Sequence, residues 1–316
     1  MNVGSVADLL VRRLREDRER YGLARDRVEA TYVLNPGGFV TANFRVTDGA
    51  RAVHVKISFA EEDKAKLRRW ESVGDLLTRR YAAPAVLGWI DLGEGAGLVF
   101  EGLDGAVRHD EVPEPQLTAV LSTARELHRD RELAALLGPA RPMRESFIEY
   151  FVRICETDLS ENEVLPPFVD DATRAWMEEE VAALRAACEA SPAFDGFVDT
   201  PIHGDLWPGN VLIAPDGSWR ILDWDDLAIG DPVLDCALLT FGTTEGARSR
   251  ELFPAEDEAF HQRFDLAIRG TMLIGVVDSL ADWIEAAASP DLMEQVRATK
   301  QRDHEYCLDR YRARYG

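Results

Sequence analysis

Hydrophobic periodicity changes once along this chain, near residue 101, and that change limits the folds open to it. Up to that point the pattern is mostly that of strands. VEATYVL at 28–34, FVTANFRV at 39–46 and AVHVKIS at 52–58 are β-rich, and they are joined by Asn35-Pro36-Gly37-Gly38 and Asp48-Gly49, both turn signals. A helix with apolar residues at helical spacing precedes them over 5–22, and a charged helix follows at about 61–80. Two more strands are expected near 85–91 and 97–101, across the break GEGAG. After about 105 the pattern turns to long helices, such as QLTAVLSTARELHR and ATRAWMEEEVAALRAACEA. Strands first and helices afterwards predict an α+β chain with an antiparallel sheet, one helix beside it, and a larger, mainly helical remainder. At 316 residues the chain is long enough for two lobes, which places them at 1–101 and 102–316.

The helical half is interrupted once, by IHGDLWPGNVLIAPDGSWRILDWDD. Two short apolar runs, VLIA and WRIL, flank Pro215-Asp216-Gly217, so the segment reads as a hairpin. Asn210 then stands at one strand mouth and Asp223 at the other, where an amide oxygen and a carboxylate come within a few ångströms. Asp205 lies on the loop just before them. In VHVKIS, Lys56 breaks an apolar strand, and an inward-pointing lysine needs a carboxylate partner.

Charge and cysteine usage narrow the function classes. The formal net charge of -21 repels nucleic acid and anionic lipid and attracts cations, so neither a nucleic-acid nor a membrane partner is expected. TMLIGVVDSLADWI is broken by Asp278 and Asp282, and the first thirty residues lack the apolar core of a signal peptide. The four cysteines show no paired spacing, the pattern of reduced thiols in a cytoplasmic protein.

An oxygen-rich cluster admits several readings. A calcium loop fails, because DWDDLAIGDPVL has Ala228 where the glycine belongs and Leu234 where the glutamate belongs. A dinuclear metallophosphoesterase would call for several metal-binding histidines, and the block holds only His203. Acids that merely cap helices are a third reading for any one aspartate, and Asp231 and Asp235 are read that way.

HGDLWPGNVLI also resembles the catalytic loop of the aminoglycoside phosphotransferase and choline kinase family, the small-molecule relatives of the protein kinases. ILDWDD resembles their metal-binding segment, with Trp224 in place of phenylalanine. The resemblance implies a bilobal protein-kinase-like fold, with nucleotide bound by the first lobe and catalysis and acceptor binding in the second. It implies Mg²⁺ as cofactor and ATP or GTP as co-substrate. Asp205 would act on the acceptor hydroxyl, Asn210 and Asp223 would hold Mg²⁺, and Lys56 would grip phosphates, steadied by Glu71 on the following helix. Gly37, Gly38 and Thr41 would cover the phosphates, with Val40 and Thr41 standing where the family often has serine and asparagine. Backbone groups of Glu101 and Leu103 would hold the purine edge, and His203 would brace the loop.

The expected product is a phosphorylated small hydroxyl compound. A cationic acceptor such as an aminoglycoside or another antibiotic comes first, with Asp225, Asp278 and Asp282 as candidate contacts. Asp278, Asp282 and Glu285 share one helix face, which is equally the pattern of a solvated surface. The alternatives are a kinase of fructosamine, choline, homoserine, a sugar or a nucleoside, then a protein kinase or the metallophosphoesterase. Against a protein kinase, the chain runs from Asp223 into the helix DCALLTFG with no long activation loop, and Trp207 replaces a lysine. The acceptor, the choice of purine and the oligomeric state are not legible in the sequence.

Overall fold

The computed structural model describes residues 3–24, 27–33, 41–109, 111–162, 164–241, 249–287 and 293–316. They form two compact units. The first comprises 1–123 together with 209–227, and the second 124–208 together with 228–316. The hairpin that interrupts the helical half thus belongs with the strand-rich front.

In the first unit, α1 (Val3–Glu16) is followed by β1 (Glu29–Val33), β2 (Thr41–Thr47), β3 (Ala52–Ser58), α2 (Glu61–Tyr81), β4 (Val86–Asp91) and β5 (Ala96–Glu101). The five strands make one antiparallel sheet in the order β1-β2-β3-β5-β4. The strands β2 and β3 were legible because their side chains alternate between two faces. Ala42, Phe44 and Val46 of β2 and Val53, Val55 and Ile57 of β3 enter a core shared with Leu10 and Leu14 of α1. The intervening residues, Asn43 and Arg45 on β2 and His54 and Lys56 on β3, take the opposite face, with Asn43 opposite Lys56 and Arg45 opposite His54.

Helix α2 has Glu61, Glu62 and Asp63 in its first turn and Arg79 and Arg80 in its last, which matches the helix dipole at both ends. Its buried stripe runs through Leu67, Trp70, Gly74, Leu77 and Tyr81 at three- and four-residue spacing. Trp70 packs on Phe100 of β5, with ring centroids 4.5 Å apart. The hairpin strands Val211–Ile213 and Trp219–Ile221 pair antiparallel, and Val107–Arg108 adds a third strand beside the first of them.

The second unit is helical. Its centre is the helix Glu258–Ala287, which packs against Ile154–Glu161, Asp171–Ala190, Val233–Thr240 and Met293–Tyr315. Phe264, Ile268, Met272, Val276 and Leu280 on that central helix are all nearly inaccessible. A helix enclosed in this way must be apolar on more than one face. This explains why a stretch of it resembled a membrane span; among the described residues, no helix is long and apolar enough to cross a membrane. All four cysteines are buried and unpaired.

Candidate active site

A cavity of about 490 Å³ opens in the first unit, with His54, Lys56, Trp70, Phe100, Leu103 and Asp223 among its walls. Lys56 is 7% exposed. Its ammonium hydrogen-bonds to Oδ1 of Asp223 and Oδ2 of Asp225. Burial works against the charge on Lys56, but the two carboxylates outweigh it and hold its pKa above the ordinary lysine range. Burial pushes Asp225 up to about 6, with Lys56 pulling the other way, so Asp225 is ionised beside its ammonium at neutral pH.

Asp223 adopts the left-handed backbone conformation, with φ 62° and ψ 56°. A non-glycine residue held there costs of order 1–3 kcal/mol and persists only where its surroundings fix it. The fixing contacts follow at once in sequence. Trp224 is fully buried and its indole N–H donates to the carbonyl of Ile221 at 2.8 Å. Lys66 of α2 pairs with Asp226 at 3.0 Å, and Arg69 donates to the carbonyl of Leu227 at 3.0 Å. At the other hairpin mouth Asn210 is 2% exposed, and its carbonyl accepts from the N–H of Leu222 at 2.8 Å.

The donor set of Asn210 and Asp223 suits a hard divalent cation. Among the described residues no three His, Cys, Asp or Glu side chains gather as a metal site. Mg²⁺ does not require one, because it is usually bound through one or two carboxylates plus substrate phosphates. In this structure the cation on Asp223 is the Lys56 ammonium.

Other expected nucleotide contacts are placed less directly. Glu101 and Leu103 line the cavity. The N–H of Glu101 is engaged by the carbonyl of Ala85 at 2.9 Å, and its side chain accepts from the N–H of Ala85 at 3.1 Å. Thr41 pairs with Ser58 at the start of β2 and shares the strand face of Asn43 and Arg45. Gly37 and Gly38 lie outside the described residues.

The pairing of Lys56 with Glu71 is corrected. Glu71 forms an ion pair with Arg68 at 2.6 Å and lines a separate cavity with Arg13, Arg20 and Trp89. Helical phase is the reason. Glu71 follows the buried Trp70 by one residue, about 100° around the helix, and so points away from the stripe that faces the sheet.

In the second unit, Asp205 is half-buried and its N–H donates to Nδ1 of the wholly buried His203 at 3.2 Å. Gly204 between them has φ 86°, a conformation that side chains other than glycine rarely adopt. Asp235, expected only as a helix cap, instead sits within Val233–Thr240 and accepts from the backbone N–H groups of His203 at 2.9 Å and Gly204 at 3.0 Å. Burial pushes the Asp235 carboxyl up, but the bond from His128 and these backbone donors bring it below the usual carboxylate value. Asp231, one residue before the N-cap position, accepts from the N–H of Val233 at 3.1 Å and pairs with Arg263 at 2.7 Å.

Asp278 and Asp282 do not form a solvated face. Asp282 pairs with the buried Lys300; burial pushes the Asp278 and Asp158 carboxyls up, the Asp282 charge adds to both shifts, and Asp158 adds to that of Asp278. The side chain of Glu285 is outside the described residues.

Sequence reasoning also passed over His54. It lies two residues before Lys56 on the same strand face and is pushed down to about 4 by burial, with the Lys56 ammonium adding to the effect. A neutral imidazole therefore lines the cavity at physiological pH.

The fold agrees with the comparisons to known proteins. The chain belongs to the phosphotransferase enzyme family (APH), whose model matches residues 31–269. It is 34% identical over 114 residues to viomycin phosphotransferase of Streptomyces vinaceus, and the match covers 34% of this chain and 37% of that one. The chain therefore spans little more than a third of the length of that curated relative. Among solved structures, a thermostable mutant of aminoglycoside phosphotransferase APH(4)-Ia is similar at TM-score 0.60, with 17% identity over 98% of this chain and 99% of that one. Choline kinase LicA from Streptococcus pneumoniae gives 0.57, with 16% identity over 93% and 97%. Spectinomycin phosphotransferase APH(9)-Ia, in complex with ADP and spectinomycin, gives 0.55, with 15% identity over 90% of each chain.

Proposed function

We propose that this protein transfers the γ-phosphoryl group of ATP or GTP to a hydroxyl of a small, amine-bearing molecule of the antibiotic type. The observation that carries the reading is the Lys56 ammonium, buried in the cavity wall and fixed by Asp223 and Asp225. Phosphoryl transfer asks a protein mainly to position groups and neutralise charge, which such a lysine does for the phosphates. In this reading Asp223 and Asn210 would hold Mg²⁺, which neutralises phosphate charge when bound. Gly37, Gly38 and Thr41 would cover the phosphates, and Glu101 and Leu103 would meet the purine. Asp205, braced by His203 and Asp235, accepts or orients the proton of the acceptor hydroxyl.

The cationic acceptor rests on the net charge of -21 and on the antibiotics named in the relatives' descriptions. Likeness to choline kinase LicA supports a second reading, a kinase of a cationic metabolite. Release of ADP or GDP, measured against a panel of aminoglycosides, spectinomycin, viomycin, choline and neutral sugars, tests both. Turnover on an amine-bearing antibiotic is expected. Turnover confined to choline favours the second reading, and turnover confined to neutral sugars contradicts both.

A further inference from the structure

The correction at Glu71 leaves a question that the rest of the site answers. A lysine that grips phosphates must keep its ammonium in place after Asp223 has turned to a divalent cation, so it needs a second carboxylate. The buried face of α2 offers the apolar Leu67 and Trp70 and, in its first turn, Asp63, which the Lys56 charge reaches only weakly, and Glu71 is engaged by Arg68. Asp225 is the acid that reaches Lys56.

Its setting suits that task. The side chain of Asp225 is 16% exposed, and one oxygen is bonded to Lys56. The other, Oδ1, is buried with no hydrogen-bond partner among the described residues. A carboxylate so placed has its charge compensated by the lysine and by little else. The turn that presents it begins at the left-handed Asp223 and is fastened on both sides, by the buried Trp224 and by the Lys66–Asp226 pair. Two carboxylates two residues apart thus meet the same ammonium.

We propose that Asp225 is the positioning residue for Lys56, doing from the turn after the hairpin what a glutamate on α2 was expected to do. The inference rests on the reading of Lys56 as a phosphate-binding residue. It leaves Asp223 free to exchange the ammonium for a metal ion while Lys56 stays anchored. It also makes an electrostatically unusual prediction. Removing a negative charge beside a site for a polyanion should tighten binding; removing an anchor should loosen it.

Affinity for Mg-ATP and Mg-GTP, measured by calorimetry on the full chain, separates these cases. Asp225→Asn is expected to weaken the preferred nucleotide by ~10-fold or more, in line with the cost of misplacing a positioned group by about 1 Å. Asp225→Glu should recover part of the loss. In a Lys56→Met background, Asp225→Asn should add nothing, because the residue acts through the lysine. The Mg²⁺ concentration for half-maximal nucleotide binding should not change.

Tighter or unchanged binding in Asp225→Asn would overturn the proposal, as would losses that add to those of Lys56→Met. A raised Mg²⁺ requirement would make Asp225 a metal ligand instead. Should Asp225→Asn melt out, the same cycle run with Asp225→Glu decides, since it retains the charge and moves it by one methylene. If Lys56→Met alone leaves nucleotide binding intact, the phosphotransfer reading of the lysine fails, an outcome distinct from failure at Asp225.

Discussion

Two buried lysines, one in each unit, are surrounded by aspartates, and they are used differently. Lys56 sits on the wall of a 490 Å³ cavity between Asp223 and Asp225, on a turn held in a conformation that costs energy. Lys300 lies among packed helices, paired with Asp282 and flanked by Asp278 and Asp158. In the first cluster the ammonium keeps its charge, and Asp225, pushed up to about 6, is mostly ionised at neutral pH. In the second there are three acids to one lysine, and burial pushes Asp278 up to about 7 and Asp158 up to about 6, with neighbouring carboxylates adding to both shifts. Part of the surplus charge there is removed by a proton on Asp278, which is about half protonated at neutral pH. A buried charge becomes a functional group when it faces space that a ligand can fill. Elsewhere it is a folding liability that the protein neutralises.

Removing each lysine should break the comparison most visibly. Lys56→Met is expected to lower turnover by roughly 10²-fold or more, since it removes a charge aimed at the phosphates, and to lower the melting temperature as well, since Asp225 loses its compensating charge. Lys300→Met should leave nucleotide affinity near that of the parent and cost about 3–5 kcal/mol of stability, because it strands the Asp282 charge in the interior. Thermal melting and nucleotide calorimetry on the two variants check this. A stable Lys300→Met with impaired nucleotide binding would reverse the roles.

The second effect is in pH. A carboxyl whose pKa is raised by folding favours the native state fully only below its unfolded value, near 4, and that contribution is lost as pH rises through the folded value. Ionisation of Asp158 and Asp278 should therefore lower the melting temperature between about pH 4 and pH 7, by several °C for a chain of this size. Asp278→Asn, which carries no charge at any pH, should flatten that slope and be more stable than the parent at pH 8. An unchanged slope would show that the second cluster does not hold its protons.

Salt should have the smallest effect. Charges screened over about 8–10 Å matter only at close range, so the KM of a cationic acceptor should rise a few-fold with ionic strength while that of the nucleotide moves less. Steady-state kinetics at two salt concentrations measure both, and a salt-independent acceptor KM would count against a cationic acceptor.

The five strands, α2 and the hairpin were legible because period and turn dipeptides are local signals. Contacts that depend on packing were not. Glu71 missed Lys56 by one residue of helical phase, which nothing in LRRWESVGDLL reveals. Asp225 meets a lysine 169 positions away, through a backbone reversal at Asp223 that strand and turn propensities do not signal. Asp235 reaches back 31 and 32 residues to the N–H groups before Asp205, and the turn after Gly230 explained it too easily as a cap. Asp278 and Asp282 read as a solvated face because Lys300 arrives from a different helix. HGDLWPGN stood out through its resemblance to a family's catalytic loop, a signal that periodicity and turn propensity do not carry.

Calorimetry of Mg-nucleotide binding to Asp205→Asn and Asp223→Asn tests the division of labour most directly. In the account given, Asp205 serves the acceptor and Asp223 the metal. Asp205→Asn should lose ~10²–10⁴-fold in turnover while binding Mg-nucleotide nearly as the parent does, and Asp223→Asn should lose metal-dependent binding as well. Loss of nucleotide by Asp205→Asn, with retention by Asp223→Asn, would contradict it.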